Sequence, residues 1–207
     1  MIYLVFYTLL ASDAFVPEFL GWSNDGRAAA LLQTGLHDGS GFRFAYLEVV
    51  SDSGTDRFFY EIACEEGKIN PDWAANALRN RAKDYGIPGT LKGTVVGVKM
   101  TDSIKTENDT GYTVLKTYAC DIGAFTIQET VTGQSEAIGI PLQTGRVEMH
   151  WQNRLVFQQE LGEHGTMWWV EKAYVRQGMM ALILGHHEPG FEGPDTRFSL
   201  LVFEVTR

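Results

Sequence analysis

Cysteine is scarce in this sequence of 207 residues, which contains only Cys64 and Cys120. Neither belongs to a C-x-x-C pair or to the Cys/His spacing of a zinc site, so the common zinc-binding modules are excluded. Two alternatives remain for the pair. In an oxidising compartment they form a disulfide that closes a long loop, and otherwise they are two buried free thiols.

Positive charge is also in short supply. Lys and Arg number 17 against 26 Asp and Glu, which gives a formal net charge of -9 at pH 7. Non-specific binding to nucleic acid and docking on an anionic membrane both need a basic face. We therefore expect neither as a partner, and the sequence indicates no other.

No apolar run is long enough to span a bilayer, which takes about 20 residues, so we expect no integral membrane span in the mature chain. The most apolar stretch, residues 1–11, is followed by small residues at Ala11, Ser12 and Ala14, near where a signal peptidase would cut. It lacks the Lys or Arg that normally opens a signal. We interpret residues 1–14 as an atypical signal segment and predict a periplasmic or secreted protein. The alternative is a buried first strand of a cytosolic protein.

The signatures of common catalytic sites are missing as well. The chain has no G-x-S-x-G nucleophile elbow, no phosphate-binding G-x-x-x-x-G-K-[ST] loop, no dinucleotide-binding G-x-G-x-x-G and no H-E-x-x-H. We predict no catalytic residue and no cofactor. The absence of these motifs weakens the case for an enzymatic function without excluding it.

Apolar residues make up 44% of the chain and aromatic residues 12%, enough for a core in one β-rich domain over residues 15–207. Val147, Met149 and Trp151 alternate with polar residues, and a second run follows Gln152 and Asn153, which indicates a hairpin over residues 146–159. We predict a mainly β fold, an antiparallel β-propeller-like or sandwich-like domain with one inserted α-helix.

The helix is predicted over about residues 71–85. Asn70 is placed to cap it, Pro71 suits its first turn, and Gly86 is placed to end it in a left-handed conformation. Its apolar stripe consists of Ala74, Leu78, Ala82 and Tyr85. We expect this helix to serve in packing.

The two ends of the chain resemble each other. An apolar run at 28–32 leads through a Gly-rich loop to the strand that ends at Val50, and a run at 179–184 leads through a second Gly-rich loop to the strand that ends at Val205. A repeated β unit would place both loops at one edge of the fold, whereas chance similarity of two hairpins is the alternative. The turn W-S-N-D-G-R at 22–27 looks like the Asp-Gly turn that opens blades of TolB-type propellers.

Three stretches resemble a bacterial family of predicted secreted proteins, domain of unknown function 2259. They are F-L-G-W-S-N-D-G-R at 19–27, H-D-G-S-G-F at 37–42 and G-F-E-G-P-D-T-R-F at 190–198, and the likeness spans about residues 14–207. The resemblance implies export. It implies no activity, ligand or catalytic residue.

The two Gly-rich loops and the strand ends beside them hold the candidate binding residues. These are His37, Asp38, Arg43, His186, His187, Glu192, Asp195 and Arg197. Imidazole and carboxylate together suit a divalent metal, and an arginine at the same place in each repeat suits an anionic ligand. The alternatives are polar turn-forming loops, and arginines that lock a loop by pairing with a carboxylate such as Asp195. Because neighbouring residues of a strand point to opposite faces, at most one of His186 and His187 joins such a site.

We therefore predict a non-enzymatic binding or structural protein of the bacterial cell envelope, whose two Gly-rich loops present the functional surface. The alternative is a secreted metal-dependent hydrolase that uses His37, one of His186 and His187, and Asp195.

Overall fold

The computed structural model describes residues 14–36, 43–62, 72–137, 140–161, 166–188 and 195–205. Within these ranges the chain forms thirteen strands and a single helix. In chain order they are β1 (Ala14–Trp22), β2 (Ala28–Leu36), β3 (Arg43–Ser51), β4 (Gly54–Ile62), α1 (Trp73–Lys83), β5 (Thr94–Val96), β6 (Val98–Asn108), β7 (Gly111–Cys120), β8 (Gly123–Ala137), β9 (Ile140–Trp151), β10 (Arg154–Glu160), β11 (Thr166–Arg176), β12 (Met179–Glu188) and β13 (Asp195–Glu204). The mainly β prediction with one inserted helix is confirmed.

The strands form two sheets. The larger has eight strands in the order β4-β3-β2-β1-β13-β12-β11-β5, and the smaller has five in the order β10-β9-β8-β7-β6. Every pairing is antiparallel except that of β1 with β13, which is parallel and limited to Ala14 and Thr196. Neither sheet closes on itself across the described strands, so the propeller-like alternative is not supported. The sandwich-like alternative is compatible with the packing of the layers.

The larger sheet folds over on itself where β1 meets β13. Its amino-terminal half, β1–β3, and its carboxy-terminal half, β11–β13, pack face to face through one apolar cluster. The fully buried members of this cluster are Trp22, Ala29, Leu31 and Ala181. Helix α1 covers the opposite face of the amino-terminal half, and the smaller sheet covers the opposite face of the carboxy-terminal half. The layers therefore run helix, half-sheet, half-sheet, smaller sheet.

Helix α1 follows its predicted stripe. Ala74, Leu78 and Ala82 are buried against the amino-terminal half-sheet. Gly86 ends the helix with a left-handed φ of 70°, and the Ile87 N–H donates to the Ala82 carbonyl at 3.2 Å, as expected for a glycine cap. The predicted start at Asn70 and Pro71 lies outside the described residues.

Both hairpin turns predicted from the sequence are present. Gln152 and Asn153 join β9 to β10 with φ angles of 47° and 67°, the left-handed pair typical of a tight two-residue turn. In the turn between β1 and β2, the Ser23 hydroxyl donates to Asp25 at 2.6 Å and accepts the Ala28 N–H at 2.9 Å. These two bonds link the turn to the first residue of β2.

The Cys120 sulfur contacts the Gly123 carbonyl oxygen at 3.2 Å. Cys64 lies outside the described residues, so the disulfide between the two cysteines stays a prediction.

Candidate functional site

The strand ends that flank the two Gly-rich loops lie at the same end of the larger sheet. One row of paired residues crosses the sheet there, and it consists of Arg43, Leu36, Ala14, Thr196 and His187. This is the placement that the repeat predicts for the two loops. The candidate residues His37, Asp38 and Glu192 lie within the loops, outside the described residues.

A cleft of about 260 Å³ opens beside this row, where the edge of β13 packs on the face of β3. One wall comes from β3 and β4, with Tyr46, Glu48, Arg57 and Phe59. The second wall comes from β12 and β13, with His186, Glu188, Arg197 and Ser199, on the face of these strands that is turned to the smaller sheet. Gln159, on the edge strand β10 of the smaller sheet, also lines the cleft. The cleft therefore exists only because the larger sheet folds over.

Glu48 fixes the β3 wall to the rest of the cleft. Only 3% of this residue is exposed, and one carboxylate oxygen accepts Arg57 Nε at 3.2 Å and Nη2 at 3.1 Å. The other oxygen accepts the Leu200 N–H at 2.7 Å. Burial raises the pKa of the Glu48 carboxyl above its ordinary range, against the opposing effects of the Leu200 N–H and Arg57.

Gln33 of β2 makes similar bonds to the backbone of β13, at Phe198, two residues before Leu200. Its amide nitrogen donates to the Phe198 carbonyl at 2.8 Å, and its amide oxygen accepts the Phe198 N–H at 3.0 Å. Beyond its single pair with β1, this edge of β13 has side chains of β2 and β3 where a neighbouring strand would stand. The buried polar groups are thus satisfied by the backbone of a strand that is far away in sequence.

A second charged network holds the opposite wall. His186 is buried, its ring stacks on Trp168 with centroids 4.2 Å apart, and its Nε2 lies 3.2 Å from Glu188. Arg197 contacts Glu188 at 3.3 Å and Asp195 at 3.3 Å. Its guanidinium also lies 3.7 Å from the centroid of the Phe15 ring. Arg197 is therefore held by two carboxylates and an aromatic face.

Tyr46 brings a hydroxyl to the β3 wall. Burial, followed by the nearby Glu48 charge, raises the pKa of this phenol above its ordinary range. The hydroxyl therefore stays neutral in the physiological range, and it also bonds to the Arg57 side chain. Tyr46 thus presents a group that both donates and accepts hydrogen bonds.

The remaining candidates point elsewhere. His187 lies on the other face of β12 from His186, 5.1 Å from the Trp169 ring and 3.4 Å from the Thr196 hydroxyl. Arg43 lies on the same face of β3 as Ala45, which is the face that helix α1 covers. It borders a different depression. Of the predicted residues, the structure brings together His186, Arg197 and, through Arg197, Asp195.

Across the described part of the chain, no group of three or more His, Cys, Asp or Glu side chains is arranged to hold a metal ion. His186 and Asp195 are both bound to other side chains in the cleft network. His37, the third predicted ligand, lies outside the described residues, so the metal-dependent hydrolase has no described ligand set.

The sequence reasoning did not single out Gln33, Glu48, Arg57, Phe59 or Gln159. Alternation along β3 could have identified Glu48. It lies on the same face of the strand as Phe44 and Tyr46, and this face is predicted to be buried. A lone acid on such a face requires a partner. Arg57 and Gln159 lie on edge strands, where a polar residue carries no signal.

The chain matches no family model, and no curated protein or solved structure is significantly similar to it. None of the described residues form a helix long and apolar enough to span a membrane. The resemblance to domain of unknown function 2259 stays a prediction.

Proposed function

We propose that this chain is an exported, non-enzymatic binding protein of the bacterial cell envelope that holds a small polar ligand in the cleft beside β13. One observation carries the proposal. The polar groups of the cleft are held in place before any ligand arrives, by ion pairs and by the backbone of β13. Such preorganisation lowers the entropy cost of binding.

The size and lining of the cleft support a small molecule. Its volume of about 260 Å³ is close to the lower end of small-molecule pockets, roughly 300–1,000 Å³. The lining mixes aromatic rings with a few oriented polar groups, as in most ligand sites. Phe59 is 52% exposed, so it offers an aromatic surface to a ligand.

Two contacts favour binding over catalysis. Both oxygens of Glu48 are engaged with Arg57 and the Leu200 N–H, so this carboxyl serves the fold. The Nε2 atom of His186 lies against Glu188, within its own wall of the cleft. General acid–base work needs a titratable group within reach of a bound substrate. The export part of the proposal is supported by the apolar stretch at residues 1–11 and by the resemblance.

Native mass spectrometry of the full chain, purified from the periplasmic and extracellular fractions of an expressing bacterium, tests this function. We expect a retained small molecule, which can be released, identified and titrated by calorimetry. Phe59→Ala should weaken its binding at least about fivefold, because the ring faces the cleft, on the order of 1 kcal/mol. Tyr60→Ala is the matched control, since Tyr60 is also exposed but lies on the opposite face of β4.

Three outcomes would contradict the proposal. Recovery of the chain in the cytoplasmic fraction contradicts export. Equal losses in Phe59→Ala and Tyr60→Ala contradict the cleft as the site. Chemical turnover of the retained molecule by the wild-type chain contradicts a non-enzymatic role.

A further inference from the structure

We infer that the ligand of the cleft is an uncharged sugar ring. This inference rests on the proposed binding function and assigns its ligand class. It follows from the pairing of the charged side chains that line the cleft, from the type of hydrogen-bonding groups beside them, and from the exposed aromatic ring of Phe59.

The guanidinium and carboxylate groups that line the cleft pair one to one within each wall. Arg57 pairs with Glu48 at 3.1 Å on one side. Arg197 pairs with Glu188 at 3.3 Å on the other, and it also contacts Asp195, which is not among the residues that line the cleft. A charged ligand would have to compete with one of these pairs and leave a partly buried partner without its counter-ion, which is costly. An uncharged ligand leaves both pairs intact.

The polar groups around these pairs match hydroxyl groups. Tyr46, Gln159 and Ser199 each carry a group that donates and accepts hydrogen bonds, and all three line the cleft. A sugar hydroxyl also donates and accepts. The ion-paired guanidinium and carboxylate groups are planar and fixed, so their outer edges can each meet neighbouring hydroxyls of one ring.

The aromatic rings of the cleft are not equivalent. The face of Phe15 is covered by the Arg197 guanidinium, 3.7 Å from the ring centroid. Phe59 is 52% exposed and lies on the same face of β4 as Arg57. A sugar ring has one face of C–H groups, which packs on an aromatic ring while its hydroxyls point sideways. Phe59 beside Arg57 offers this pair of contacts.

Calorimetric titration of the full-length mature protein with matched probes tests the ligand class. The neutral probes are glucose, galactose, mannose, N-acetylglucosamine, maltose and cellobiose. The charged probes are glucuronate and glucosamine, which keep the glucose ring and add one negative or one positive charge, together with acetate and the zwitterion glycine. We expect at least one neutral sugar to bind, and its charged derivative to bind at least about tenfold more weakly. Phe59→Ala should weaken the neutral sugar at least fivefold and Gln159→Ala at least threefold, whereas Tyr60→Ala should leave it unchanged.

The outcomes separate the ligand class from the proposed function. Tighter binding of glucuronate, glucosamine, acetate or glycine, weakened by Phe59→Ala, overturns the sugar and keeps the binding cleft. Binding of a sugar that Phe59→Ala and Gln159→Ala leave unchanged overturns the assignment to this cleft. Absence of binding by every neutral sugar overturns the ligand class, and if native mass spectrometry also finds no retained molecule, the proposed function fails with it.

Discussion

Glu48 and Glu129 are buried carboxylates in two different regions, and each accepts backbone N–H groups from another strand. Glu48, in the cleft, receives the Leu200 N–H and pairs directly with Arg57. Glu129, on strand β8 of the smaller sheet, receives the Met167 N–H at 2.9 Å and the Trp168 N–H at 3.4 Å. Both residues are 3% exposed. The same device therefore holds a strand in place in two parts of the fold.

The two carboxylates differ in how their charge is compensated. The charge of Lys116 acts on Glu129, but its ammonium group donates to the Trp168 carbonyl at 2.6 Å. One oxygen of Glu129 has no hydrogen-bond partner among the described residues. At Met167, φ is 58°, an uncommon value for a residue other than glycine, and successive N–H groups there converge on the carboxylate. Glu48 thus belongs to a compensated pair, whereas Glu129 depends on backbone dipoles.

The largest expected effect comes from removing the carboxylate that joins the two half-sheets. Glu48→Ala leaves the buried Leu200 N–H without an acceptor and Arg57 without its partner. We expect the free energy of unfolding to fall by about 2–4 kcal/mol in urea denaturation. Glu18→Ala is the control, since Glu18 and Arg79 form a pair in which both side chains are exposed, worth about 0–1 kcal/mol. Equal losses in the two variants would show that β13 does not depend on Glu48.

The second expected effect is the pH dependence that the burial of Glu129 gives to the free energy of unfolding. Burial raises the pKa of Glu129 above its ordinary value of 4.5, so the folded chain holds this proton more tightly than the unfolded chain does. Its contribution to stability is complete below that value and is lost as pH rises through the raised pKa. The Gln of Glu129→Gln cannot titrate, so this variant does not lose that contribution. Over this window its free energy of unfolding should rise relative to that of the wild type, by at most about 1.4 kcal/mol per pH unit.

Urea denaturation at steps from about pH 4 to pH 8 measures this difference. Glu48→Gln is the comparison variant. Burial raises the pKa of Glu48 as well, so the stability of this variant relative to the wild type also rises with pH. It should nevertheless lie below the wild type at neutral pH, because Arg57 loses its ion pair while an amide oxygen can still accept the Leu200 N–H. Parallel pH profiles of Glu129→Gln and the wild type would contradict the uncompensated burial of Glu129.

Local features of the fold could be predicted from the sequence, because a few neighbouring residues determine each of them. The stripe and glycine cap of α1, the turn at Gln152 and Asn153, and the opposite facing of His186 and His187 all follow from residues close in sequence. The docking of β13 on β2 and β3 does not. The bonds between Gln33 and Phe198 join residues 165 positions apart, and no periodicity in the sequence reports such a pairing.

The candidate site was predicted only on one side for the same reason. His186, Asp195 and Arg197 stand beside a Gly-rich loop, a feature that draws attention to polar residues. Their partners across the cleft, Tyr46, Glu48 and Arg57, lie in the middle of strands and become neighbours only when the sheet folds over. The repeat placed Arg43 with Arg197, but alternation along β3 puts Arg43 on the helix-covered face.

The smallest expected effect concerns the titration of His187, which is sensitive to the charge of Lys116, the cation that acts on Glu129. Burial lowers the pKa of His187 below 6.5, and His186 and Lys116 contribute in the same direction. The folded chain therefore binds this proton less tightly than the unfolded chain, so stability present above pH 6.5 is lost as pH falls through the lowered pKa. His187→Gln should remove that loss, which we expect to be under about 1 kcal/mol because the half-buried ring is partly screened by solvent.

Proton NMR titration of the His187 ring sharpens the comparison further. If Lys116 keeps its charge beside Glu129, Lys116→Gln should raise the pKa of His187 while a neutral donor to the Trp168 carbonyl is retained. Lys105→Gln is the control, because Lys105 is exposed on β6 and pairs with Glu107. An identical His187 titration in both variants would mean that Glu129 already neutralises Lys116, and the two carboxylates would then be compensated alike.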